Sequence, residues 1–227
     1  MTRKNALFFF LGIFFFLSFL VFSYIVHEDY VTRFDFNTTV RLQDNLSRQV
    51  IPLFSFFSIA GNFEVLTVVL LLLLFLLRKL IAGIVLFSSF VLFHIIELFG
   101  KIYVDHPPPP QFMLLTEHPF EFPQFHVRTE SSYPSGHSGR TVFLSVILLY
   151  LLWNSKRIPR ILKIVLSLGI VTFVGIMLVS RPYLGEHWVS DVIGGTLLAL
   201  GLSLLGLGFV FSKSTLHYLN RILQKVR

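Results

Sequence analysis

Three clusters of ionisable residues interrupt an otherwise apolar chain, and each carries side chains suited to handling an anion. His187 and Asp191 stand four residues apart. If that stretch is helical they share a face, and a carboxylate bonded to one ring nitrogen fixes the tautomer and raises the basicity of the other, as a nucleophilic or basic imidazole requires. Taken alone, the pair reads more readily as an interfacial histidine beside a capping acid. Pro134-Ser135-Gly136-His137 precedes a long apolar run and has the form of a helix start, with Ser135 as cap and Gly136 permitting close approach. Such an end binds anions through its free N–H groups and its dipole, although capping without a ligand is the simpler reading of the four residues by themselves. Lys101 and Arg181 add fixed positive charge suited to a phosphoryl group; each could instead be a cation snorkelling from the end of a membrane span.

The elements that must position these residues are membrane spans. The 227 residues are 54% hydrophobic and only 14% charged. Leu7 to Val26 is 20 residues without a charge, Ile164 to Ser180 is 17, and Val192 to Ser212 is 21. At about 1.5 Å per residue, such runs cross a hydrocarbon core roughly 30 Å thick. Gln49 to Leu77, Leu80 to Gly100 and Gly136 to Ser155 carry one charge each, namely Glu64, Glu97 and Arg140, and complete a predicted all-α bundle of six transmembrane helices. The first run is too long for the apolar region of a signal peptide, and no small-residue cleavage site follows it.

The net charge of +7 takes its meaning from where the basic residues sit. Arg3 and Lys4, Arg78 and Lys79, the group Lys156, Arg157, Arg160 and Lys163, and the group Lys213, Arg221, Lys225 and Arg227 fall in every second connection. The positive-inside rule then places both termini in the cytoplasm and puts the connections near 27–48, 101–135 and 181–191 outside. The basic balance reflects topology and contact with anionic lipid rather than binding of nucleic acid. With no cysteine, thiol catalysis, disulfides and cysteine-based metal sites are excluded.

No linker or repeat divides the chain, so residues 1–227 are expected to form one integral membrane domain. The first outer connection mixes charge with Phe, Val and Leu, as a short interfacial helix does. Gly61 and Asn62 predict a break, with the second span proper beginning near Phe63. Pro107 to Pro110, Pro119, Pro123 and Pro134 predict an ordered, extended outer loop, outside the hydrocarbon or covered by protein.

Together these residues resemble the phosphatidic acid phosphatase type 2 superfamily. Ser180-Arg181, His187 and Asp191 match its third motif in type and spacing, Pro134-Ser135-Gly136-His137 resembles its second, and Lys101 stands where the lysine of its first motif belongs. The resemblance covers roughly residues 50–212. It implies a membrane lipid phosphatase, similar to the bacterial enzymes acting on phosphatidylglycerophosphate or undecaprenyl diphosphate, that needs no metal or other cofactor. By the same resemblance His187 attacks phosphorus and becomes a phosphohistidine, Asp191 orients it, and His137 protonates the departing lipid oxygen and later activates water. Lys101, Arg181, Ser135 and the Gly136 N–H hold the phosphoryl oxygens. The expected location is the cell membrane with the site facing outside, and the expected partner is a lipid substrate such as undecaprenyl diphosphate, phosphatidic acid or phosphatidylglycerophosphate.

One departure stands out. The first motif of the family continues with an arginine and a proline, and the arginine position here is Pro108. Arg140, three residues after His137 and one turn deeper on the same face, is the expected substitute; Arg128 and His106 in the neighbouring loop are its rivals. Arg140 could alternatively serve only to pair with Glu97 or Glu64. Glu97, four residues before Lys101, is expected to position that lysine through an ion pair. Two other activities fit the same residues: transfer of the phosphate to another lipid or sugar, and binding or transport of a lipid phosphate without catalysis. Retention of His137, His187 and Asp191 argues against the last. A vanadate-dependent haloperoxidase is disfavoured because the relatives it resembles are soluble.

Overall fold

The computed structural model describes residues 3–77, 80–116 and 131–210. Regular structure among them is wholly helical: α1 (Arg3–His27), α2 (Thr32–Asn45), α3 (Ile51–Ala60), α4 (Phe63–Leu77), α5 (Leu80–Tyr103), α6 (Gly136–Asn154), α7 (Arg160–Tyr183) and α8 (Val189–Val210), with single 3-10 turns at Arg48–Val50 and Gln111–Met113. Five helices, α1 and α5 to α8, are long and apolar enough to cross a membrane. The stretches Arg48–Ala60 and Phe63–Leu76 qualify only as a pair bent by 52°, which makes up to six crossings. The bend falls at Gly61 and Asn62, where helix propensity is weakest. The freed N–H groups are not left bare, since Gly61 N donates to Phe57 O at 3.1 Å and Asn62 N to Ile59 O at 3.1 Å, as an apolar solvent demands.

The helices α6 and α8 form the centre, and α1 and α7 lie outside them. Phe10, Phe14 and Val21 of α1 and Leu168 and Val171 of α7 are exposed, as lipid-facing side chains must be. The core between the helices is built from Leu86, Phe90 and Phe93 of α5, Phe143 and Ile147 of α6, and Leu198 and Leu202 of α8. Lipid tails remove the hydrophobic drive between apolar helices, so close packing must supply it, and small residues let backbones approach. Gly201 of α8 lies against the Phe16 backbone of α1, where a Cβ would come within 3.0 Å of the Phe16 nitrogen. Near their first turns α6 and α8 cross at Gly139 and Gly195: a Cβ on Gly195 would overlap the Ser135 carbonyl oxygen, and one on Gly139 would come within 3.0 Å of Gly195 O. That crossing brings the second and third sequence clusters together.

The interfacial helix expected in the first outer connection is α2, which buries Asp35 and Thr39 and packs on α7 and α8. The proline loop runs extended from Pro107 to Pro110 before its 3-10 turn, and Leu115 N donates to Leu184 O at 2.9 Å. Arg128, Pro119 and Pro123, the pair Arg78 and Lys79, and the basic group Lys213, Arg221, Lys225 and Arg227 lie outside the described residues.

Candidate active site

The third cluster is built by the way α8 begins. His187 is not helical: it sits in the turn ahead of α8, and Val192 N donating to Trp188 O at 3.2 Å makes Trp188 the cap residue. Asp191 is then the third residue of the helix, and its Oδ2 reaches back to accept the Trp188 N–H at 2.9 Å, the role of the acid in a capping box. The same oxygen faces His187 Nδ1 at 3.2 Å. One carboxylate thus closes the helix start and holds the imidazole, and the pair forms across a cap rather than along a continuous helical face. The chain can turn here because Gly185 has φ 72°, a left-handed conformation that also keeps a Cβ out of the Met113 carbonyl.

The second cluster opens α6 as expected. Ser135 is the cap, its Oγ accepting from Ser138 N at 3.5 Å and donating to Ser138 Oγ at 3.1 Å. Ser135 N donates to Asp191 O at 2.9 Å, so the starts of α6 and α8 are tied directly. The first N–H groups of α6, at Gly136 and His137, have no acceptor within the helix and carry its positive dipole end. His137 Nε2 lies 3.0 Å from Asn62 Oδ1 at the α3–α4 bend, a contact that sets the plane of the ring.

Arg181, in the last turn of α7, is fully buried. Its Nη1 donates to Ser58 Oγ at 2.8 Å and to Glu186 Oε2, and its Nε and Nη2 reach Ser180 Oγ at 3.2 and 3.0 Å. Glu186 is held in turn by Thr116 Oγ1 at 2.7 Å. Lys101, in the last turn of α5, is half-buried and, among the described residues, makes no hydrogen bond or ion pair. Glu97 does not pair with it as expected: it bonds His94 Nδ1 at 3.0 Å and Arg140 Nη1 at 3.5 Å.

Arg140 is buried, with its Nε unpartnered. Its ion pair with Glu97 packs against Gly136, where a Cβ would overlap Glu97 Oε1 and come within 2.6 Å of Arg140 Nη1. Arg181, Arg140, His187 and Lys101 all act electrostatically on His137. The eight candidate residues therefore lie together at one end of the bundle, drawn from α5, α6, α7 and the start of α8. Cationic side chains gathered around two imidazoles and a helix N-terminus form an arrangement that can bind an anion and transfer a phosphoryl group.

A model of the PAP2 superfamily matches residues 78–214, which is more than half of the chain. The chain belongs to the PAP2 superfamily. A curated PAP2 relative, phosphatidylglycerophosphatase B of Bacillus subtilis (strain 168), is 40% identical over 80 residues, and that stretch spans 34% of this chain and 38% of the relative. The first transmembrane PAP2 type phosphatidylglycerolphosphate phosphatase from Bacillus subtilis superposes with a TM-score of 0.69 at 21% identity, over 90% of this chain and 98% of that one. LpxE of Aquifex aeolicus superposes with a TM-score of 0.56 at 19% identity, over 77% and 94%. The last two establish a shared fold.

Asn62, Ser58 and Glu186 join the site without having been expected there from the sequence. Asn62 carried a signal, a polar residue at a break in an apolar run, which pointed to the bend but not to the histidine it meets. Ser58 is one of two serines in an apolar helix, and Glu186 stands beside His187 without a spacing of its own. Pro108 stands where the family's first motif has its arginine, and Arg140 joins Arg181 among the guanidinium groups that act on His137.

Proposed function

We propose that the chain hydrolyses a lipid phosphate or lipid diphosphate at the outer membrane face through a phosphohistidine on His187. The observation that carries this reading is the 3.2 Å contact between His187 Nδ1 and Asp191 Oδ2 at the edge of a cationic, anion-binding end of the bundle. With Nδ1 engaged, Nε2 is left to attack phosphorus. As the N–P bond forms, the bond from phosphorus to the lipid oxygen breaks, and that oxygen takes a proton from His137. Water then attacks the phosphohistidine, gives its proton to His137, and releases inorganic phosphate from His187. Arg181, Lys101, Arg140, Ser135 and the Gly136 N–H meet the charge that grows on the phosphoryl oxygens. These groups supply the neutralisation a metal ion would otherwise provide, so turnover should persist in excess chelator.

The Bacillus subtilis relatives, named for phosphatidylglycerophosphate, make that lipid the first substrate to test, with undecaprenyl diphosphate and phosphatidic acid beside it. A site at the ends of the spans favours amphiphiles whose phosphate lies at headgroup depth. Brief exposure of the purified enzyme to a labelled lipid phosphate, followed by a denaturing quench, should leave label on His187 in an acid-labile, base-stable linkage. Release of labelled inorganic phosphate should accompany it. Phosphate release without any such adduct would defeat the phosphohistidine, and an adduct that passes only to a second lipid would make the protein a transferase.

The orientation rests on the loop between α6 and α7, whose Lys156, Arg157, Arg160 and Lys163 stand at the far ends of these helices from His137 and Arg181. With no native cysteine, single-cysteine labelling is free of background. Gln111→Cys, on the exposed 3-10 turn of the proline loop, should react with an impermeant maleimide in intact cells, and Arg157→Cys only after permeabilisation. The reverse pattern would put the site in the cytoplasm.

A further inference from the structure

The third-motif carboxylate has a second face. Asp191 Oδ2 serves His187 and the start of α8, but Asp191 Oδ1 is buried without a hydrogen-bond partner. The cationic side chain that faces it is His106, whose Nε2 lies 3.6 Å away. His106 is only 4% exposed. Its Nε2 also lies 3.5 Å from Asp35 Oδ2 and 3.0 Å from Ser190 Oγ. Asp35 is fully buried on α2 and accepts from Ser190 N at 2.8 Å and from Ser190 Oγ at 2.6 Å. Because the serine proton goes to Asp35, Ser190 Oγ accepts from His106, so one imidazole N–H points among oxygens of Asp35, Ser190 and Asp191.

We infer that His106 and Asp35 are positioning residues for the phosphohistidine site: an imidazolium at position 106, held by Asp35, fixes the far oxygen of Asp191 and through it the nucleophile His187. This rests on the function proposed above and assigns two residues of that site. It also removes His106 as a phosphate clamp, since its Nε2 is committed to carboxylates. The loop that carries it is pinned in place. The His106 carbonyl accepts from Ser132 N at 2.9 Å, and Trp188 Nε1 donates to Pro107 O at 2.8 Å. A carboxylate with one oxygen doing two tasks and the other facing nothing would be free to rotate; a cation held at ion-pair distance from its far oxygen opposes that rotation, as outer partners do for metal-bound histidines.

The groups facing His106 are Asp35 on α2, Asp29 in the turn before it, Asp191 on α8, and the Tyr133 ring edge-on at 6.4 Å. Burial pushes the Tyr133 phenol up, so it stays neutral. Burial alone would push the His106 imidazole down, and the Asp35, Asp191 and Asp29 carboxylates outweigh it, so its pKa is raised. The holding form is therefore present below that raised value and is lost as pH rises through it, which gives kcat an alkaline limb.

The test uses the full chain in dodecyl maltoside micelles with a short-chain phosphatidic acid. His106→Gln should lower kcat by roughly tenfold or more, with KM little changed, and should lack the alkaline limb. Asp35→Asn should move that limb to lower pH, a displacement that a merely structural role would not produce. Independently of activity, the histidine NMR titration midpoint of residue 106 should fall in both Asp35→Asn and Asp191→Asn. A wild-type limb in either His106→Gln or Asp35→Asn, or a midpoint that Asp191→Asn leaves in place, would overturn the inference. A wild-type chain that releases no phosphate would instead sink the proposed function, while the titration midpoints would still decide the coupling.

Discussion

His187→Asn should lose lipid phosphate turnover by roughly 10⁴-fold or more, the scale seen when a nucleophile that acts as part of a unit is removed. The variant should remain folded. Asp191 Oδ2 still accepts the Trp188 N–H that closes α8, and the asparagine amide can take the place of the ring N–H at the same oxygen. The cationic groups around His137 are untouched, so the substrate should still bind, and the loss should appear in kcat with KM nearly intact. Thermal melting of the purified variant checks the fold, and single-turnover phosphate release checks the chemistry. Substantial residual turnover would move the nucleophile elsewhere, with His137 the first alternative. Asp191→Asn is a less informative variant, because it weakens the helix start and the imidazole contact together.

How much of this was legible in the sequence follows from the range of the interactions. The apolar runs beginning at Leu7, Leu80, Gly136, Ile164 and Val192 each fall on a helix, because lipid leaves a spanning backbone no other way to satisfy its polar groups. The bend at Gly61 and Asn62 was legible for the same reason, since a polar pair inside an apolar run marks where the helix fails. Ser135 capping α6 was legible from a local preference.

The helical state of His187 was not. A four-residue spacing is common to a continuous helix and to a capping acid reaching back over one turn, and only the Trp188 N–H contact tells them apart. The partners of the site were hidden for a different reason. Asn62 meets His137 across 75 positions, Ser58 meets Arg181 across 123, and Asp35 meets Ser190 across 155. Residue type and spacing carry no trace of such pairs, which exist only once α2 and the α3–α4 bend have been laid over the ends of α6 to α8. Glu97 shows the limit of local rules directly: its helical neighbour Lys101 was the partner that spacing favoured, and the alternative, the buried guanidinium of Arg140 on another helix, took that place. An exposed pair within one helix is worth only about 0.2–0.5 kcal/mol, too little to compete with neutralising a charge inside the bundle.

That ion pair makes Arg140 the position of second largest expected effect, and it demands two variants to interpret. Arg140→Met alone should destabilise the fold by about 3–5 kcal/mol, because Glu97 would keep a buried charge with His94 its one remaining ion-pair partner among the described residues. Loss of activity in that variant would therefore say nothing about phosphate. Removing both charges, in Glu97→Gln with Arg140→Met, leaves the His94 contact an amide oxygen to meet and should restore the melting temperature. Turnover in the double variant should nevertheless stay down by roughly 10²-fold, the scale expected for removing one donor to a charge that develops in the transition state. Two observations point that way. Arg140 Nε is buried without a partner, and Arg140 Nη1 lies against Gly136 at the start of α6, where the phosphoryl oxygens are proposed to sit. With proline at position 108, no guanidinium from the first motif is present to do this work. Near wild-type turnover in a stable double variant would reduce Arg140 to a counter-ion for Glu97, and the clamp would then consist of Arg181, Lys101 and the helix N-terminus alone.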